Sequence, residues 1–161
     1  TAPVINKEFL MFLEQTGYTP TPVQDGKYLH WLQYEHRWEN SLVDMDKYLS
    51  NARSKPNHPV TGVSWRDANK FIEWLSKRDS RNYSLPTEAQ WEYVARDGSN
   101  QVFPVDIIGD KWEGSLDDIA WNIRNAENTT HPIRTKKPNS KGIYDLLGNV
   151  WEWCLDGFRV E

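Results

Sequence analysis

The stretch "YDLLGNVWEWCLD", residues 144 to 156, gathers the residue types in this chain best suited to holding a ligand. Asp145 and Glu152 put hard carboxylate oxygens on either side of a Gly-Asn pair, and Gly148 allows the backbone to reverse sharply. Two carboxylates and the exposed carbonyls of a turn make the all-oxygen set that Ca²⁺ prefers, about six to eight ligands at about 2.3–2.6 Å. A second reading gives Glu152 a purely structural task, accepting hydrogen bonds from backbone N–H groups of the loop. Spacing alone leaves both open.

The other reactive side chains form no comparable set. His30, His36, His58 and His131 are scattered, none at a zinc spacing, and read as nonligands. His58 and His131 each precede a proline, which drives them to extended backbone at the entry to a strand or loop. Asp117 and Asp118 are adjacent acids that read as a solvated pair. Cys154, the single cysteine, sits between Trp153 and Leu155 with only Arg159 as a nearby cation, the context of an inert thiol. One cysteine also excludes an internal disulfide and a multi-thiolate zinc site. Asn82 and Asn128 begin N-x-S/T sequons, which matter only in a glycosylating compartment. No nucleophile elbow, Walker loop or G-x-G-x-x-G run is present.

Three helices are expected to position these groups. In "NKEFLMFLEQTG", Asn6 is the expected N-cap and Gly17 the stop, with Phe9, Phe12 and Leu13 on one face. In "SWRDANKFIEWLSKRD", Ser64 and Asp67 match a capping box, and Trp65, Ala68, Phe71, Ile72 and Leu75 form the buried stripe. In "PTEAQWEYVARDG", Thr87 caps, Gln90 reciprocates and Gly98 ends the helix. Residues 19 to 59 carry turn formers without a sustained period, and residues 99 to 142 read mostly as loop. Loops that long in a compact domain are usually functional or strongly tied down.

Composition narrows the class. The 161 residues fit one domain spanning 1–161, of α+β class with few helices, small sheets and a large loop fraction. Nineteen basic and 23 acidic residues are interspersed, net charge −4, which excludes a basic footprint for nucleic acid. No apolar run reaches the roughly 20 residues of a membrane span, and "TAPVINKEF" has neither part of a targeting signal. Nine Trp and seven Tyr in a chain only 38% hydrophobic point to an irregular core in which indole N–H groups need polar partners.

Three ordered blocks, "HPVTGVSWRDANKFIEWL", "YSLPTEAQWEYVARDG" and "KPNSKGIYDLLGNVWEWCLD", resemble the formylglycine-generating enzyme (sulfatase-modifying factor) family, and "NKEFLMFLEQTGY" resembles its first helix. The resemblance implies a variant of the C-type-lectin-like fold. It also implies a structural Ca²⁺ held by the Asp145 side chain, the Gly148 and Val150 carbonyls and the Glu152 side chain, with the flanking tryptophans as packed walls. Some members hold a second Ca²⁺ upstream. The shorter "AWNIRNAENTTHPI" makes Asn122 and Asn125 the candidates for it.

The activity the resemblance implies is oxidation of a cysteine, in a C-x-P-x-R-like motif of a target protein, to formylglycine. It uses O₂ and Cu(I) held by a cysteine pair that follows an "RGGSW"-like block in the family. This chain ends at "DGFRVE" and has no such pair, so Cu(I) is expected only in a parent protein that supplies it. The expectation is therefore a C-terminally truncated domain, or a relative that kept the scaffold without the oxidase site. A start at "TAPVINKEF", inside what resembles a strand, adds an N-terminal truncation to the first case. The alternative function is a noncatalytic binding module for a protein or peptide partner, using aromatics such as those of "YLHWLQYEHRW", within a larger assembly or signalling protein.

Overall fold

The computed structural model describes residues 1–21, 28–32, 37–41, 45–98, 107–108, 111–112 and 116–156, with side chains outside the four short strands. Its elements are α1 (Asn6–Thr16), β1 (Tyr28–Leu32), β2 (Arg37–Ser41), α2 (Met45–Ser54), α3 (Trp65–Asp79), α4 (Glu88–Arg96), β3 (Ile107–Ile108), β4 (Lys111–Trp112) and α5 (Leu116–Ile119). The strands form two antiparallel pairs, β1 with β2 and β3 with β4. Among the described residues, five helices, little strand and a large irregular fraction agree with the expected loop-rich domain. No helix among the described residues is long and apolar enough to cross a membrane. The chain divides into two compact units, residues 4–84 and residues 1–3 with 85–161.

In the unit of residues 4–84, α1 packs on α2 and α3. Its apolar face delivers Phe9, Phe12 and Leu13 into a core shared with Tyr48 of α2 and Phe71 of α3. The Phe71 ring lies 5.8 Å from both Phe9 and Phe12, edge-on to the latter. Ile72 and Leu75 pack at the border of this cluster. Trp65 does not follow the expected stripe. It opens the helix with 43% of its surface exposed, nearly two turns before the core residue Phe71.

The N-terminus of α1 also differs from expectation. Asn6 is the first helical residue, not the cap, and its side-chain amide donates to the Lys55 carbonyl at 2.9 Å. The first-turn N–H groups of Asn6 and Lys7 instead meet the carbonyls of His58 and Pro56. Distant backbone thus does what a cap side chain normally does. Pro59 then pairs with Ile5, so "NHPV" enters a short antiparallel bridge. At the other end Gly17 closes α1 in the left-handed conformation, its N–H on Leu13 O.

Helix α2 corrects the reading of residues 19 to 59 as turn formers and short strands without a helix. Tyr48 and Ala52 are buried four apart, a single short apolar face that becomes a helix because α1 covers it. The hairpin β1–β2 lies in the same stretch, while the side chains of residues 28–38 fall outside the described set.

Both expected capping boxes form. Ser64 Oγ accepts from Asp67 N, and Asp67 Oδ2 accepts from Ser64 N at 2.7 Å. Thr87 and Gln90 exchange the equivalent bonds at α4. Helix α4 ends at Arg96, with Asp97 as a left-handed cap (φ 50) and the expected stop Gly98 left-handed behind it (φ 83). Asp97 is held there by the Ser140 hydroxyl and N–H and by Lys141, which bring its carboxyl down to about 2.

Candidate metal centre

The turn of residues 145–152 belongs to the unit of residues 1–3 and 85–161 and is built from two left-handed residues, Asp145 (φ 60) and Asn149 (φ 70). Neither is glycine, and both have the short polar side chain that tolerates this region. Gly148 serves a purpose other than the expected reversal. A Cβ there would lie 2.1 Å from the Trp121 carbonyl oxygen, so only glycine admits that strand of backbone. The same carbonyl accepts from Asn149 N at 2.9 Å.

Asn149 and His131 close the other side. The Asn149 side chain accepts from His131 N at 2.9 Å and donates to His131 O at 3.0 Å. The His131 ring stacks on Trp121 at 3.6 Å, and its Nε2 lies 3.0 Å from the Ala126 carbonyl, which requires a proton on that nitrogen. His131 is thus held by Trp121, Asn149 and the Ala126 carbonyl.

The Asp145 charge acts on Glu152, as the last of the causes that set the Glu152 carboxyl. Asp145 is buried. Its Oδ2 accepts from Arg134 N at 2.8 Å, and its Oδ1 has no hydrogen-bond partner. Glu152 is half-buried, and its Oε2 accepts from the Trp91 indole N–H of α4 at 2.8 Å. Burial pushes the Glu152 carboxyl above its ordinary range, the indole bond pulls it back, and Asp145 adds to the rise. Among the described residues, no lysine or arginine pairs with either carboxylate. The donor to Glu152 is thus a side chain 61 residues away, not a loop backbone N–H.

The flanking tryptophans are not the walls of this site. Trp151 is fully exposed and Trp153 is 49% exposed, while Glu152 and Cys154 between them turn inward. An extended segment sends alternate side chains to opposite sides, so a residue between two tryptophans points away from both. Cys154 has its thiol pushed up by burial and then by Asp156, Glu88 and Glu152, the opposite of activation.

The upstream candidates are committed elsewhere. The amides of Asn122 and Asn125 both donate to Asp117 Oδ1, at 2.7 and 3.1 Å. Their oxygens accept from the backbone N–H groups of Arg124 and Asn122. Asp118 pairs with Lys137 at 3.0 Å, so the two adjacent acids serve separate partners. No cluster of three or more His, Cys, Asp or Glu side chains occurs among the described residues, so any cation at the turn must take carbonyl oxygens as well.

A bare buried carboxylate oxygen and a second carboxylate in the same turn are donors of the type a hard divalent ion takes, while the Gly148 carbonyl already accepts from Val150 N at 2.9 Å. Comparison with known proteins sets this turn in context. All 161 residues match the sulfatase-modifying factor enzyme 1-like domain. The formylglycine-generating enzyme of Streptomyces coelicolor is 36% identical over 125 residues, covering 68% of this chain and 35% of that enzyme. The serine/threonine-protein kinase pkn1 of Chlamydia pneumoniae is 34% identical over 164 residues, covering 99% of this chain and 22% of the kinase. PvdO from Pseudomonas aeruginosa superposes with a TM-score of 0.70 at 27% identity, covering 98% of this chain and 55% of PvdO. The chain spans about a third or less of the length of these two sequence relatives. On the match over its full length, this chain belongs to the sulfatase-modifying factor enzyme 1-like family.

Proposed function

We propose that residues 145–152 hold a structural Ca²⁺, and that this chain is a cation-clamped formylglycine-generating-type domain that does not itself carry out the oxidation. The observation that carries this reading is Asp145 Oδ1, buried and without a donor beside a second carboxylate. An unsatisfied buried acceptor costs about 1–3 kcal/mol, more when charged. A divalent ion would remove that cost and the repulsion between the two acids. Asp145 and Glu152 would give side-chain oxygens, and Gly148 and Val150 their carbonyls. The bound ion supplies positive charge and a cross-link. The protein's own part is to hold the oxygens ready: Arg134 N–H fixes Asp145, the Trp91 indole fixes Glu152, and Gly148 admits the Trp121 carbonyl. The C-type-lectin-like variant of an α+β fold belongs to the same proposal, supported by the few helices and long loops.

The residues present do not fit a copper-dependent cysteine oxidation. Cu(I) favours soft thiolates, and Cys154 stands alone with its thiol pushed up. Cysteine oxidation is thus a property of the parent protein only where the parent supplies a cysteine pair. A second reading, a surface for a protein or peptide partner, is favoured by Trp151, Trp153 and Leu155, which are exposed at alternate positions of residues 151–155.

Calorimetric titration tests the first reading. One Ca²⁺ should bind per chain, and Glu152→Gln should abolish the heat. Absence of binding by the unaltered chain overturns it.

A further inference from the structure

Each carboxylate of the turn already has one oxygen engaged. Asp145 gives Oδ2 to Arg134 N, and Glu152 gives Oε2 to the Trp91 indole, both at 2.8 Å. The indole is a donor that cannot accept or ionise at neutral pH, so it offers a cation nothing and can only hold the oxygen it bonds. Trp91 is itself well anchored. Helix α4 is fixed at its start by the Thr87–Gln90 box and by Asp156 Oδ1, which accepts from Glu88 N at 2.7 Å. Asn139 holds the Val94 carbonyl at 3.0 Å near its end.

We propose that Trp91 is a positioning residue of the cation site, occupying Glu152 Oε2 so that Glu152 binds the ion through Oε1 alone. Asp145, with Oδ2 taken by Arg134 and Oδ1 bare, likewise gives one oxygen. The inference rests on the Ca²⁺ reading above and adds to it a denticity and a residue outside the turn. Two carboxylate oxygens and two carbonyls make four protein ligands. Ca²⁺ takes about six to eight, so about two to four positions are left for water. Such a site differs from one closed by a bidentate glutamate. Its affinity depends on an indole 61 residues away in the sequence.

The experiment uses the full 161-residue chain, Ca²⁺ as the probe, and two readouts. Calorimetry gives the affinity of the unaltered chain and of Trp91→Phe, which keeps a ring but removes the N–H. Infrared difference spectra, with Glu152 bands assigned by their loss in Glu152→Gln, give denticity from the gap between the two carboxylate stretches. The expected results are a wide, single-oxygen gap in the unaltered chain, a narrowed gap in Trp91→Phe, and an affinity loss of about 10- to 100-fold, the usual effect of removing an outer partner of a ligand. Unchanged affinity and an unchanged gap in Trp91→Phe overturn the role of Trp91 while leaving Ca²⁺ binding intact. A two-oxygen gap for Glu152 in the unaltered chain overturns it even if Trp91→Phe fails to fold. No Ca²⁺ binding by the unaltered chain defeats the underlying reading instead.

Discussion

The Tyr18 hydroxyl donates to Asp67 Oδ1 at 2.8 Å, in a site where Asp67 has no exposed surface at all. The same oxygen accepts from the N–H and hydroxyl of Thr21, and Oδ2 accepts from Ser64 N. Burial raises the Asp67 carboxyl, but these bonds from Ser64, Thr21 and Tyr18 outweigh it and hold the carboxyl below its ordinary range. One acid therefore caps α3 and ties the segment after α1 to it. Removing the carboxylate in Asp67→Ala strands at least two buried donors at about 1–3 kcal/mol each, for a loss of about 3 kcal/mol or more in urea denaturation.

The same residue sets an acid limb. A carboxyl lowered in the folded state adds stability above its unfolded pKa, near 3.9, and loses it as pH falls through the folded value. Stability should drop below about pH 4, and Asp67→Asn should flatten that limb while lowering the plateau. An acid limb as steep in Asp67→Asn as in the unaltered chain would assign it to other carboxylates.

Phe71→Ala should cost about 3–5 kcal/mol, because the ring touches Phe9, Phe12 and Trp74 at the centre of the core. Trp65→Ala should cost well under half as much, since Trp65 lies at the exposed start of the helix. Equal losses in denaturant titrations would show that the core extends to Trp65.

Where the signal was local, the sequence carried it. Ser64 with Asp67 and Thr87 with Gln90 form their boxes within four residues, so the starts of α3 and α4 were legible. The start of α1 was not, because its first N–H groups are met by carbonyls fifty residues on, and Asn6 turns to Lys55 instead. Helix α2 offered only one short buried face, Tyr48 and Ala52, and gains its shape from α1. At the turn, Asp145 and Glu152 were visible as a pair, whereas the Trp91 indole that holds Glu152 was hidden by 61 intervening residues. Period-two alternation in "WEWCL" was the available sign that Trp151 and Trp153 face away from Glu152, and it outweighs their adjacency.

Gly148→Ala should destabilise the chain by about 3 kcal/mol, at the upper end of overpacking costs, because the new Cβ meets a backbone carbonyl rather than a movable side chain. It should also weaken Ca²⁺ binding, by moving the carbonyl of residue 148. Normal stability and affinity in this variant would mean that the Trp121 segment yields.

The chain should not convert a C-x-P-x-R peptide to its formylglycine form with Cu(I) and O₂, as read by mass spectrometry for loss of thiol and gain of aldehyde. The chain has one cysteine, Cys154, where Cu(I) favours a thiolate pair, and its thiol is pushed up rather than activated. Turnover that persists in Cys154→Ser would place the chemistry at residues not considered above.

Thermal unfolding with and without a Ca²⁺ chelator tests the cation-clamped turn most directly. An ion that binds only the folded chain adds about 2.7 kcal/mol at a hundredfold excess over its dissociation constant. The chelator should therefore lower Tm in the unaltered chain, and Glu152→Gln, whose turn has lost an anionic oxygen, should melt at one temperature in both buffers. A Tm for the unaltered chain that does not respond to chelator or to added Ca²⁺ would contradict the account.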